Sequence, residues 1–202
     1  MGTDSPAEKW NPAEEEIMQA TYEVLLDRGY PGLSISQIAD ELGKSKAALY
    51  YHYDSKEDLL VAFLEFAVDR FETVVSTETG DNPDEDLEHV IEKLLPLRPN
   101  EEQRQTQEVM IALRSQAVTN EAFKEQFTQM DEQIAATIEN IIRQGIKNGT
   151  FRDVDATRIA EHVLAIVNGT MYTRATTTRE DATAITRVSI SSYLDSELRS
   201  HT

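Results

Sequence analysis

Apolar residues recur at three- and four-residue spacing in segment after segment of this chain, and no stretch alternates as a half-buried strand would. Asn11-Pro12-Ala13-Glu14 combines an N-cap, a proline at the first helical position and a carboxylate at the third, where free amides and the helix dipole favour it. Ile17, Thr21, Val24, Leu25 and Arg28 then keep a 3.6-residue period as far as Gly29, whose tolerance of positive φ suits a helix end. After Tyr30-Pro31-Gly32, a second capping box at Ser34-Ile35-Ser36-Gln37 opens a short helix with Ile38, Ala39 and Leu42 on its buried stripe, ending at Gly43. A third short helix fits Ser45 to Tyr51. Asp54-Ser55-Lys56-Glu57 caps a long fourth helix carrying Leu59, Leu60, Phe63, Phe66, Ala67, Phe71 and Val74 to about Glu78.

Gly80-Asp81-Asn82-Pro83 is the clearest break, and a domain boundary is expected near it. Beyond it, amphipathic stretches run over Asp84 to Leu97, stopped by Pro96 and Pro99, Glu101 to Val118, Glu121 to Lys147, ending at Gly149, Asp155 to Arg174 and Glu180 to Arg199. The expected fold is all-α. Ile159, Ala160, Val163, Leu164, Ala165, Ile166 and Val167 make one helix apolar on nearly every side, which must then be covered on every side.

Composition narrows the chemistry. The 202 residues are 40% hydrophobic, enough for a real core, and contain no cysteine, which closes disulfides, thiolate zinc sites and cysteine nucleophiles. The longest apolar run, Leu59 to Leu64, falls far short of the ~18 residues of a spanning helix, and Met1 to Trp10 is polar, so no membrane partner and a cytoplasmic location are expected. Asp plus Glu number 37 against 19 Lys plus Arg, a formal charge of -18, which excludes a generic basic nucleic-acid binder. The acids are spread over the whole chain rather than gathered in a tail. With 12 Arg and only 7 Lys, that surface resembles proteins of extreme halophiles, the other reading being an acidic mesophile protein.

The segment from Ser34 to Tyr53 has the form of a helix-turn-helix: a two-turn helix, a turn at Gly43 and a second short helix, braced by the helix before them. Short helical hairpins that bind nothing share this pattern. Between Glu41 and Asp54, however, there is no acid, and Lys44, Ser45, Lys46, Tyr50, Tyr51, His52 and Tyr53 supply the cations, hydroxyls and planar groups that phosphates and base edges need. Residues Asn140 to Arg152 are also acid-free, so charge alone does not single out the site.

The run Gly29-Tyr30, Leu33-Ser34-Ile35-Ser36-Gln37-Ile38-Ala39, then Leu42-Gly43-Lys44-Ser45-Lys46-Ala47-Ala48-Leu49-Tyr50-Tyr51-His52-Tyr53 and Ser55-Lys56-Glu57-Asp58-Leu59 resembles the DNA-binding domain of the TetR/AcrR family of transcriptional regulators. The resemblance covers residues 12 to about 65. Lys44 stands where an apolar residue is commoner, and Tyr53 where Phe is usual. The resemblance implies an N-terminal arm and three-helix helix-turn-helix domain over residues 1–58, a connecting helix over 55–78, and a helical regulatory and dimerisation domain over 59–202. It implies Lys46, Ala47 and Tyr51 at base edges and Ser36, Ser45, Tyr50, His52 and Lys56 at phosphates, and Lys44 adds a phosphate contact. Tyr50 and Tyr53 have the core as their alternative place. The partners implied are double-stranded DNA, a small-molecule effector and a second copy of the chain held through the last two helices, with no cofactor. The effector candidates are His89, Met110, Arg114, Asn168 and Tyr172, each of which also has a purely structural reading.

Residues 1–60 carry 5 basic and 12 acidic side chains, which conflicts with duplex binding driven by phosphate neutralisation. The expected resolution is binding in concentrated salt through close hydrogen bonds and shape, with cations bridging carboxylates and phosphates. Enzyme readings fare worse. Asp86-Leu87-Glu88-His89 is half of a di-iron pattern, there is no Gly-x-Gly or His-Glu-x-x-His, and a Ser-His-Asp triad could draw only on His89 and His162. A helical interaction protein that has lost DNA binding is the remaining alternative.

Overall fold

The computed structural model describes residues 9–78, 80 and 82–199, without the side chains of 71–78. Asp81, His201 and the expected apolar positions Phe71 and Val74 fall outside what is described. Nine helices follow one another among the described residues: α1 (Pro12–Gly32), α2 (Ile35–Leu42), α3 (Lys46–Tyr50), α4 (Lys56–Glu78), α5 (Pro83–Leu94), α6 (Glu101–Gln116), α7 (Glu121–Asn148), α8 (Ala156–Thr176) and α9 (Ala182–Glu197). The fold is all-α, as expected. The chain divides into two compact units, one of Met1–Thr73 with Glu108–Gln129, the other of Val74–Gln107 with Met130–Thr202.

In the first unit the local signals do what their chemistry dictates. The Asn11 side chain accepts from the Ala13 and Glu14 amides, and Glu14 Oε2 accepts in return from the Asn11 amide at 3.0 Å, so free donors are satisfied in both directions. Gly29 breaks the helical path with φ 65°, and one further turn carries α1 to Gly32. Ser34 Oγ accepts from the Gln37 amide at 3.3 Å and Ser45 Oγ from the Ala48 amide at 3.3 Å, starting α2 and α3. Gly43 ends α2 in the left-handed region, at φ 63°. Ile38, Ala39 and Leu49 are buried between helices that pack in sequence, α1 on α2 and α2 on α3. Ahead of α1, Trp10 lies edge-on to Phe66 at 5.4 Å and its Nε1 donates to Asp69 Oδ2 at 2.8 Å, while Lys9 pairs with Glu65 and Asp69.

In the second unit α8 packs on α9. Ile159, Ala160, Val163, Leu164 and Val167 are buried, but Ala165 is exposed, so the apolar helix is covered on one side and open on the other within a single chain. The helix expected to reach Leu97 stops at Leu94, because the Pro96 ring disfavours helical backbone at Leu95, which sits at φ -129° and ψ 66°. The C-terminal end of α9 is fastened by cations. Arg199 donates from Nε to Asp84 at 2.7 Å, from Nη2 to Glu88 at 2.8 Å and from Nη1 to Asp195 at 2.8 Å, and Arg187 pairs with Glu88 and Glu92. Phe151 and Arg199 form an isolated antiparallel bridge beside this network.

Candidate nucleic-acid interface

The turn after α2 and the whole of α3 present a polar, aromatic surface. Ser45, Lys46, Ala47 and His52 are exposed, Tyr50 is 52% exposed and Tyr51 87% exposed, whereas Leu49 is 1% exposed and anchors the helix. A tyrosine that far out of the core contributes little to folding. Its ring lies edge-on to His52 at 5.3 Å. Lys46 makes no ion pair among the described residues. Of the two tyrosines that had the core as an alternative, Tyr50 faces solvent and Tyr53 is half-buried. Burial, with the carboxylates of Glu14 and Glu65 nearby, pushes the Tyr53 hydroxyl up to about 12.

Two of the expected phosphate contacts are engaged within the unit. Lys44 Nζ donates to Glu16 Oε2 of α1 at 2.6 Å, in a pair that stays 41% and 62% exposed. Lys56 Nζ lies 4.6 Å from the centre of the Tyr30 ring and 3.5 Å from the Tyr30 carbonyl oxygen. Ser36 is half-buried in the first turn of α2. Sequence reasoning missed Glu16 and Tyr30 as neighbours of this surface, since pairs 28 and 26 residues apart leave no local signature.

This geometry has relatives. A sequence model described as bacterial regulatory proteins, tetR family, matches residues 17–63, and one described as BetI-type transcriptional repressor, C-terminal, matches residues 83–199. The chain belongs to the TetR family. Among solved structures, a TetR transcription regulator from Haloarcula marismortui is 36% identical, with a TM-score of 0.83 over 92% of this chain and 98% of that one. A transcriptional regulator from Saccharomonospora viridis, solved with choline, is 26% identical, with a TM-score of 0.78 over 94% and 98% of the two chains. The HTH-type transcriptional regulator PksA of Bacillus subtilis is 29% identical over 164 residues, which is 77% of this chain and 75% of that protein. The protein is a TetR-family transcriptional regulator with a helix-turn-helix DNA-binding domain, and its relatives are regulators, not enzymes.

The regulatory candidates of this TetR-family chain are placed as follows. In the second unit, Asn168 is half-buried on α8 and donates from Nδ2 to Asp131 Oδ1 at 3.3 Å, while Tyr172, one turn on, is 61% exposed. His89 lies on the exposed side of α5. In the first unit, Met110 and Arg114 are half-buried one turn apart on α6, and the Arg114 guanidinium lies over the Phe127 ring at 4.7 Å. Asp86, part of the half di-iron pattern, is 7% exposed and accepts from the Gly80 amide at 2.7 Å. Among the described residues no group of three or more His, Asp or Glu side chains is placed to hold a metal ion, and no helix is long and apolar enough to cross a membrane.

Proposed function

We propose that this chain works in the cytoplasm as a homodimeric, sequence-specific repressor that reads a pseudo-palindromic operator and is released by a small-molecule effector. The observation that carries the reading is the α3 surface: in a chain of charge -18, the one short helix behind Gly43 has no acid and turns Lys46 and an 87% exposed Tyr51 to solvent. Lys46 suits guanine O6 and N7, Ala47 a thymine methyl, and Tyr51 a base edge, with Ser36, Ser45, Tyr50, His52, Lys44 and Lys56 on phosphates. On this reading residues 1–58 are the reading head and 59–202 the regulatory part.

Dimerisation is supported by the open faces of the last two helices. Ala165 and Gly169 on α8 and Ile185, Val188 and Ser192 on α9 recur at three- and four-residue spacing and are exposed, with Ile185 at 52% and Val188 at 68%. Large apolar side chains beside small ones on one face suit close packing against an identical face. A two-fold pair then sets recognition helices on half-sites about 34–36 Å apart. Repression is supported by the BetI-type match over 83–199. His89, Met110, Arg114, Asn168 and Tyr172 are the proposed effector residues. Release requires that the effector favour one spacing of the reading heads over the other.

Selection of bound genomic fragments by the purified protein at low and multimolar KCl tests this. Recovery of one pseudo-palindrome, lost in the Lys46→Ala, Tyr51→Ala double variant, is expected. A folded chain that enriches no fragment at any salt would instead be a helical interaction protein.

A further inference from the structure

Lys44 stands at the turn that leads into α3, with its amide fixed to the Ala39 carbonyl oxygen at 3.0 Å, and its ammonium is already held by the Glu16 carboxylate at 2.6 Å. That carboxylate is 62% exposed and comes from α1, not from the helix-turn-helix itself. A surface proposed to meet a polyanion thus has an anion at its edge, paired with the lysine that leads into α3. We infer that Lys44 and Glu16 form an exchange contact: on binding DNA, Lys44 passes from Glu16 to a phosphate, which lowers the salt dependence of that contact. The inference rests on the proposed DNA-reading role of α3.

The ion balance is simple. In duplex binding, each phosphate neutralised by a protein cation sheds its condensed counterion, and log affinity falls against log salt with a slope of about 0.9 per phosphate. When Lys44 leaves Glu16 for a phosphate, the phosphate sheds its condensed cation, while the bared Glu16 carboxylate gathers a fraction of one from solution. Net release is lowered, not abolished. The contact keeps its hydrogen bond and its geometry and adds less to the slope than a free lysine would, so it fades less in concentrated salt. Glu16 is a positioning residue here: it touches Lys44, and acts on DNA through it.

The test measures the affinity of the full-length protein for its selected operator duplex across a KCl series, for the wild type, Glu16→Gln, Lys44→Ala and the double variant. Both changes fall on exposed side chains, so thermal unfolding is expected to stay unchanged and serves as the folding control. In Glu16→Gln, cation uptake is removed, and the slope is expected to steepen by less than about 1.8 for a dimer with two such contacts, with tighter binding at low salt. Lys44→Ala is expected to weaken binding at every salt with a slope no steeper than the wild type's. The double variant is the decisive arm, because without Lys44 the Glu16→Gln change should leave the slope where it was. An unchanged slope in Glu16→Gln, or a steepening of equal size with and without Lys44, would overturn the exchange while leaving sequence-specific binding intact. If the wild type forms no specific complex, the DNA-reading role itself fails, and the exchange fails with it.

Discussion

Two groups of cations sit in this acidic chain, and the fold treats them oppositely. On α3, Lys46 faces solvent with no ion pair among the described residues, beside a tyrosine that is 87% exposed. At the far end of the sequence, Arg187 and Arg199 keep only 15% and 22% of their side chains in water and between them hold Asp84, Glu88, Glu92 and Asp195. With 19 basic residues against 37 acidic ones, almost any cation can find an internal partner. On the proposed reading Lys46 is left for an external anion, while Arg187 and Arg199 fasten helix to helix. Lys44, paired yet 41% exposed, stands between the two cases.

The largest effect expected from breaking this contrast is on the DNA side. A good base contact is worth about 1–3 kcal/mol, and a dimer loses it at both half-sites, so Lys46→Ala or Tyr51→Ala should each lower operator affinity on the order of 100-fold. Melting temperature should hardly move, because neither side chain is packed. Gel-shift titration beside thermal unfolding checks both halves, and a fall in stability with affinity retained would reverse the assignment.

The opposite pattern is expected at the C-terminal network. Arg199→Ala leaves three carboxylates around a partly buried gap and removes three charge-assisted hydrogen bonds, a loss of about 2 kcal/mol in a urea unfolding curve. Operator affinity per folded dimer should be unchanged. A loss of DNA binding from a stable Arg199→Ala chain would mean that this cation, too, serves the operator.

A smaller effect comes from the end of α7, where it meets this network. Gly145 lies against Phe151, itself 4% exposed and bridged to Arg199, and an added Cβ there would run into the ring. Overpacking costs about 1–3 kcal/mol, and alanine returns up to about 1 through helix propensity, so Gly145→Ala should destabilise by about 1 kcal/mol. A stabilised variant would show that the Phe151 ring moves aside freely and that the bridge is slack.

Local chemistry decided how much of this was readable beforehand. Asn11 and Ser34 announce helix starts because a cap acts on amides two or three residues away, and both do so in the structure, whereas Gly80-Asp81-Asn82-Pro83 reads only as a break although Asn82 caps α5. Gly43 is legible for the same reason, since a left-handed cap admits few other residues. The end of α5 was overrun because apolar spacing continues to Leu97 while the backbone is set by Pro96. Glu16 beside Lys44 and the carboxylates around Arg199 were not readable at all, since tertiary contact alone brings them together. Nor does spacing on a five-residue helix tell which of three tyrosines faces inward, and Tyr50, Tyr51 and Tyr53 were separated only by packing.

Those tyrosines carry the smallest and most local form of the contrast. Tyr53 is half-buried, its amide donates to the Leu49 carbonyl oxygen at 2.9 Å, and burial with Glu14 and Glu65 raises its hydroxyl from 10.0 to about 12. Below pH 10 both folded and unfolded chains keep that proton and its contribution is intact. Between pH 10 and 12 the unfolded chain releases the proton first, so stability falls with rising pH until the folded hydroxyl ionises as well. Unfolding curves at pH 9 and 11.5 should therefore differ less in Tyr53→Phe than in the wild type. If Tyr53→Phe lost stability as steeply as the wild type over this window, the Tyr53 hydroxyl would be in water, and the division of one short segment into a residue for the fold and a residue for the partner would be wrong.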